Sequence, residues 1–255
     1  MVIDPGHGGH DTGTTGPTGL TEKDLCLDVA LRLGRILKQR LANAEVVFTR
    51  TKDVFISLEE RTYIANDIKA DLLLSIHANS SPYPAVRGSE TYYLDSAGST
   101  EVMEVSAREN ATAREKVSDR LELMKIGLDE KKMEESRIFA EDIQGSLSRL
   151  VERSASNAQS RRVSRAPFVV LVGANMPSVL TEISFLSNPS DEQLLRKAEY
   201  RERLAESLYQ GMATYLQRQN SFTHNPPARG PTVAPSGFSP TSPGSAAVEQ
   251  PLGQW

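Results

Sequence analysis

Short apolar runs alternate with stretches of helical periodicity over the first 219 residues of the chain. Residues 25–41 place apolar side chains three and four positions apart, which predicts a helix. Residues 72–76 form an apolar run of the kind found in a strand that is covered on both faces. Further strand candidates lie at 45–49, 88–94, 168–172 and 179–183. Because the strands are separated by helices, we expect an α/β fold with a mostly parallel central sheet flanked by helices.

Two local patterns add detail to this outline. Residues 57–60 fit a capping box, in which Ser57 caps the following helix and Glu60 bonds back to it. Residues 1–3 have the pattern of the last part of a strand, so we expect that this strand begins upstream of Met1.

A charged segment at about 100–160 interrupts the alternation of strands and helices. Its apolar positions form two short helical stripes, one of Leu121, Met124 and Leu128 and one of Phe139, Ile143, Leu147 and Leu150. One hypothesis is a helical insertion that packs on the sheet. The other hypothesis is a regulatory element.

The end of the chain differs in composition from everything before it. Residues 220–255 hold half of the 14 prolines, interleaved with serine, glycine and threonine. Such a segment cannot bury enough apolar surface to offset the entropy of ordering it. We therefore expect a folded part at 1–219 and a disordered tail at 220–255.

Charge and composition exclude several classes of protein. The 33 acidic and 29 basic residues give a net charge of −4, which disfavours a globally basic nucleic-acid binder. No apolar run approaches the roughly 18 residues of a membrane span. Cys26 is the single cysteine, so an internal disulfide cannot form.

Four residues that can ligate metals or transfer protons stand at the ends of predicted elements. His7 lies in a glycine-rich turn after the first strand, and His77 follows the apolar run 72–76. Glu22 falls in the first turn of a helix, where the helix dipole favours a carboxylate. Glu182 lies at the end of the last strand candidate. Since ligands of open α/β sheets bind beyond the carboxyl ends of the strands, we expect all four at one edge.

His7, His77 and Glu22 make a His₂Glu set, one of the ligand triads of catalytic zinc sites with an open fourth position. Zinc lowers the pKa of a bound water to about 7. A carboxylate that does not ligate the metal must then accept the proton of that water, and Glu182 is the candidate. Taken singly, each residue has a plainer interpretation as a structural histidine, a helix-dipole complement or a salt-bridge partner.

Five motifs follow one another along the chain. They are Asp-Pro-Gly-His-Gly-Gly at 4–9, Thr-Glu-Lys at 21–23, Arg-Thr-Tyr-Ile-Ala-Asn at 61–66, Ser-Ile-His-Ala-Asn at 75–79 and Pro-Ser-Val-Leu-Thr-Glu-Ile-Ser-Phe-Leu-Ser-Asn at 177–188. Together they resemble the catalytic domain of the zinc-dependent N-acetylmuramoyl-L-alanine amidases of the cell-separation type, from about residue 1 to 217. The resemblance implies one zinc ion on His7, Glu22 and His77, with Glu182 as the catalytic carboxylate.

The resemblance also implies a substrate and a location. The bond to be cleaved is the amide between N-acetylmuramic acid and L-alanine of the peptidoglycan stem peptide, in cell-wall remodelling and daughter-cell separation. This substrate leads us to expect a periplasmic or extracellular protein, although the chain contains no signal peptide pattern.

The charged insertion has a counterpart in the cell-separation members of this family, where it covers the zinc and is displaced by a LytM-type activator. The resemblance therefore makes residues 101–150 a candidate autoinhibitory segment. Glu115 and Glu122 are the candidates for a glutamate that fills the open zinc position. Two other functions stay open, namely a catalytically inactive peptidoglycan-binding protein on the same fold and a zinc carboxypeptidase.

Overall fold

The computed structural model describes residues 1–41, 43–96, 98–113, 130–154 and 163–224. Six strands form one sheet in the order β2-β1-β3-β6-β4-β5. Four of the five strand pairs are parallel, and β4 runs antiparallel to β6. The predicted α/β fold with a mostly parallel sheet is thus confirmed. The strands are β1 (Val2–Pro5), β2 (Val47–Phe48), β3 (Leu73–Asn79), β4 (Glu90–Leu94), β5 (Val163–Ala166) and β6 (Ser178–Phe185).

Helices cover both faces of this sheet. The larger core lies between the sheet and helices α1, α4 and α6, and smaller clusters lie under α2 and α3. Two short 3₁₀ turns, at Asn110–Thr112 and Val169–Leu171, complete the second face. The helices are α1 (Glu22–Arg40), α2 (Leu58–Asp67), α3 (Thr100–Glu109), α4 (Glu130–Ser154), α5 (Pro189–Leu195) and α6 (Ala198–His224).

The central strands β3 and β6 are buried along their whole length, which explains their near-continuous apolar sequence. Side chains alternate between the two faces, so Leu74 and Ile76 join the larger core while His77 points to the opposite face. The register of the pair sets His77 directly beside Glu182. Two of the predicted site residues are therefore neighbours because of strand pairing alone.

Helix α4 belongs to the core. Phe139, Ile143 and Leu147 are completely buried against the sheet and α6, and Leu150 packs on the same cluster. For this part of the insertion, packing on the sheet is confirmed. The second predicted stripe, at 121–128, lies outside the described residues.

Two local predictions were wrong. Residues 168–172 contain a 3₁₀ turn instead of a strand, and strand β5 lies just before them. Burial produces an apolar run in either conformation, so the pattern could not distinguish them. Ser57 does precede α2, but its hydroxyl makes no capping hydrogen bond and is buried without a hydrogen-bond partner among the described residues.

The last helix, α6, continues across position 219 and ends at His224. The remainder of the predicted tail, 225–255, lies outside the described residues. None of the described helices combines the length and the apolar character that a bilayer crossing requires.

The burial of Phe139 predicts how strongly α4 is bound to the rest of the fold. Its ring packs against Tyr215 of α6, with centroids 4.9 Å apart. Phe139→Ala should reduce the free energy of unfolding by about 3–5 kcal/mol, because it removes buried area and leaves a cavity. Denaturant unfolding measures this, with the exposed Glu152→Ala on the same helix as control, expected within about 0.5 kcal/mol of the unaltered protein. Equal stability of both variants would show that α4 is not part of the core.

Candidate metal centre

Three of the predicted residues converge at the carboxyl edge of the sheet. His7 lies just after β1, and His77 is the third residue from the end of β3. Glu22 is the first residue of α1. Glu22 Oε1 is 3.0 Å from His7 Nε2 and 3.1 Å from His77 Nδ1. All three side chains are buried, so their polar atoms face one another instead of solvent.

A fourth side chain completes the cluster. Glu109, the last residue of α3, places Oε2 3.3 Å from His7 Nε2 and 2.9 Å from His77 Nδ1. The four ligand atoms all lie within 4.8 Å of one another. A tetrahedral ion with bonds of about 2.0–2.2 Å separates neighbouring ligand atoms by roughly 3.3–3.6 Å. The donor set therefore fits a divalent metal ion with small adjustments.

Glu22 is held in place by the backbone around it. Its Oε2 accepts a hydrogen bond from Thr14 N at 2.8 Å, and its Oε1 accepts one from Ala78 N at 3.0 Å. Gly13 is needed beside it, since a Cβ there would lie 2.6 Å from Glu22 Oε2 and from the His7 ring. The carboxylate is thus oriented before any ion binds.

His7 is oriented by a carboxylate behind it. Asp11 Oδ2 is 2.9 Å from His7 Nδ1, and Asp11 Oδ1 accepts a hydrogen bond from Gly13 N. A carboxylate on the distal nitrogen fixes the tautomer of a metal-binding histidine and strengthens its basicity. Asp11 therefore leaves Nε2 of His7 as the nitrogen available to a metal.

Charge is balanced inside the cluster. Burial disfavours the charged form of His77, but Glu109 and Glu22 outweigh it and raise the pKa of His77 to about 10. Burial alone would raise the pKa of Glu22, whereas His7 and His77 hold it well below its usual range. Against the effect of burial, Glu22 and Asp11 raise the pKa of His7, and His77 lowers the pKa of Glu109. Two imidazolium groups thus face two carboxylates. If one divalent cation replaced the two imidazole protons, the net charge of the cluster would stay the same.

Glu182 stands beside this cluster without ligating it. It is completely buried, and neither of its carboxyl oxygens has a hydrogen-bond partner among the described residues. Burial, followed by the nearby carboxylates of Glu109 and Glu22, raises its pKa well above the usual range. An unpartnered buried carboxyl group costs free energy, which marks Glu182 as a functional candidate.

All four predicted site residues are thus brought together at one edge. Asp11 and Glu109 were not predicted. Asp11 is one of several polar residues in an irregular loop, and Glu109 is one of three glutamates on α3, so neither has a distinctive sequence pattern. The candidates Glu115 and Glu122 lie outside the described residues.

Comparison with known proteins identifies relatives that match most of the chain. The family model described as N-acetylmuramoyl-L-alanine amidase matches residues 1–214. N-acetylmuramoyl-L-alanine amidase AmiA of Escherichia coli K12 is 34% identical over 226 residues, which span 85% of this chain and 75% of AmiA.

Two solved structures are similar in both fold and sequence. N-acetylmuramoyl-L-alanine amidase AmiC2 of Nostoc punctiforme superimposes with a TM-score of 0.64 at 31% identity, over 85% of this chain and 96% of that one. The catalytic domain of CwlV, an N-acetylmuramoyl-L-alanine amidase from Bacillus (Paenibacillus) polymyxa var. colistinus, gives a TM-score of 0.65 at 30% identity, over 85% and 97% of the two chains.

The contact between Asp11 and His7 predicts a loss of metal affinity when it is removed. Asp11→Ala should weaken divalent metal binding by about 10–100-fold, because His7 loses the partner that orients its ring. Competition with a chromogenic chelator measures the affinity. Asp28→Ala is the matched control, since Asp28 is paired with Arg32 on α1 and does not contact the cluster. Equal affinities of the two variants would contradict a role for Asp11 in the centre.

Proposed function

The chain belongs to the N-acetylmuramoyl-L-alanine amidase family, and from this membership we propose that its buried cluster is a zinc centre for hydrolysis of peptidoglycan. Members of the family hydrolyse the amide bond of peptidoglycan, and this chain is such a hydrolase. In our proposal the bond joins the lactyl group of N-acetylmuramic acid to L-alanine of the stem peptide. The observation that supports the proposal is that His7, Glu22 and His77 lie together beside Glu182, whose carboxyl oxygens have no hydrogen-bond partner in the described part of the chain.

Zinc is the metal that best suits the donor set. Two imidazole nitrogens and one carboxylate oxygen are a recurrent ligand triad of catalytic zinc sites, whereas magnesium and calcium prefer oxygen ligands alone. In our proposal His7, Glu22 and His77 hold the ion. When bound, zinc would polarise the amide carbonyl and lower the pKa of a water molecule.

Glu182 is the residue to which we assign proton transfer. Its register position beside His77 places the carboxyl group next to the centre, yet outside the ligand set. Its carboxylate would accept a proton from the attacking water and deliver that proton to the nitrogen of the departing alanine. Because its oxygens have no hydrogen-bond partner among the described residues, both are available for this transfer.

Helix α3 is the part of the fold to which we assign autoinhibition. Glu109 occupies the fourth position of the cluster, which a catalytic zinc site keeps open for water or substrate. Arg108 holds this end of the helix on the sheet by donating to Asn79 Oδ1 at 2.7 Å and to Ser80 O at 2.8 Å. With Glu109 in place and a zinc ion held by the other three residues, a substrate carbonyl would find the fourth position already filled.

The two helices of the insertion differ in how they could respond to an activator. Helix α4 is buried in the larger core, so its displacement would unfold the domain. Helix α3 contributes mainly Val105 to the smaller cluster on the other face. We propose that an activator of the LytM type displaces α3 alone. A periplasmic or extracellular location and a role in daughter-cell separation follow from the substrate and belong to the same proposal.

Digestion of purified peptidoglycan tests the reaction and the role of Glu182 together. Zinc-loaded protein should release, at a low basal rate, stem peptides that begin with L-alanine, which mass spectrometry detects. Glu182→Gln should retain zinc but lose about 10²–10⁴-fold in turnover, because the amide cannot accept the proton. Glu199→Gln, an exposed carboxylate on α6, should be unchanged.

Other products of this digestion would contradict the proposal in distinct ways. Single released amino acids would indicate a carboxypeptidase. If both the unaltered protein and Glu109→Ala bind peptidoglycan but release no product, the protein is an inactive wall-binding protein. Full activity of Glu182→Gln would remove Glu182 from the mechanism.

Removal of the Glu109 carboxylate tests autoinhibition. Glu109→Ala should raise the basal rate of product release by about tenfold or more at saturating zinc. The reason is that a loss of about 1.4 kcal/mol in the free energy that favours the closed state raises the ratio of open to closed molecules tenfold. The exposed Glu104→Ala on the same helix is the control and should leave the rate unchanged. An unchanged rate in a Glu109→Ala protein of full zinc content would show that α3 does not block the centre.

A further inference from the structure

We propose that Arg50 is a positioning residue of the metal centre, because its guanidinium ties the loop that carries His7 to the helix turn that carries Glu22. The inference rests on the proposed zinc centre, but it concerns a residue outside the ligand set. Arg50 follows β2 and is almost completely buried. Its guanidinium lies inside the fold, between the backbone segments next to His7 and Glu22.

The hydrogen bonds of Arg50 all go to backbone carbonyls. Its Nη2 donates to Gly6 O at 2.6 Å and to Lys23 O at 2.8 Å. Its Nε donates to Pro5 O at 3.0 Å, and its Nη1 donates to Lys52 O at 3.1 Å. Gly6 directly precedes His7, and Lys23 directly follows Glu22. One planar group thus spans the two segments that present these ligands.

A buried guanidinium normally has a carboxylate partner, since an unpaired buried charge is costly. Among the described residues, Arg50 forms no ion pair within 4.0 Å. Arg61 is the informative comparison, because it pairs with Asp4 at 2.8 Å while it also donates to Pro5 O and His7 O. Arg61 therefore combines a core ion pair with loop contacts, whereas Arg50 uses its donors on backbone carbonyls alone.

The loop needs support from outside because its own conformation is unfavourable. His7 has a φ of 58°, in the left-handed region that non-glycine residues seldom adopt. The next residue, Gly8, lies directly on Arg50, since a Cβ there would be 3.0 Å from Arg50 Nε and 2.2 Å from Val54 O. The guanidinium thus forms part of the surface on which the His7 loop rests.

The bridge fixes the separation of two ligands. His7 Nε2 and Glu22 Oε1 are 3.0 Å apart, although they lie on a loop and a helix with different sheet contacts. Metal sites tolerate errors of only about 0.5 Å in ligand position before function suffers. A change at Arg50 should therefore reach the metal through both ligands at once.

Arg50→Lys tests this bridge, because an ammonium keeps the charge but cannot span the same set of carbonyls in a plane. Zinc affinity is measured by chelator competition, and the stability of the metal-free protein by denaturant unfolding in EDTA. Arg50→Lys should fold and bind zinc about 10–100-fold more weakly than the unaltered protein. Arg50→Gln, which is neutral and easier to bury, should show the same loss of affinity.

Two controls separate positioning from general stability. Phe139→Ala loosens the core without contacting the ligand segments, so its zinc affinity should stay within about twofold of the unaltered protein. Arg87→Lys alters an arginine that pairs with Asp191 and should likewise bind zinc normally. Unaltered affinity in the two Arg50 variants would overturn the inference. An equal loss of zinc affinity in Phe139→Ala would also overturn the inference, and so would failure of both Arg50 variants to fold with zinc present. Either result would show that Arg50 stabilises the fold in general and does not position the ligands. Absence of zinc binding by the unaltered protein would instead overturn the proposed centre.

Discussion

Two carboxylates and two imidazoles share a space less than 5 Å across at the edge of the sheet, with almost no contact with solvent. In such a place every charge must be balanced by a neighbour, because isolated ions are strongly disfavoured inside proteins. The local structure meets this requirement with polar contacts. Asp11 supports His7, two backbone N–H groups hold Glu22, and Glu109 balances His77. Glu182 is the exception, and its lack of a partner among the described residues is what gives it a chemical role in our proposal.

The insertion divides into a structural part and a part suited to regulation. Helix α4 fills the larger core with Phe139, Ile143 and Leu147, so it could not leave without unfolding the domain. Helix α3 has a short contact with the smaller core and contributes one carboxylate to the candidate metal centre. The packing hypothesis for the insertion holds for α4, and our proposal assigns the regulatory hypothesis to α3.

The carboxyl-edge location of the site was predictable because parallel strands all end at the same side of a sheet. The strand pattern placed His7 and His77 at two such ends, and the helix pattern placed Glu22 at the start of α1. The antiparallel direction of β4, the strand at 163–166 and the 3₁₀ turn after it were not predicted. Apolar patterns report burial and give little information about strand direction or the exact backbone conformation of a short run.

The sequence by itself predicted the α/β class, a helical stripe at 139–150 and the four residues that meet at one edge of the sheet. These predictions depend on local periodicity and on short motifs at element ends. Only the tertiary structure decided that Asp11 contacts His7, that Arg50 donates to the backbone next to His7 and next to Glu22, and that Glu109 completes the cluster. Each of these roles requires residues that are distant in sequence, or local in an irregular loop, to meet at specific distances. Such distances are set by strand register and helix packing, and no pattern of neighbouring residues contains them.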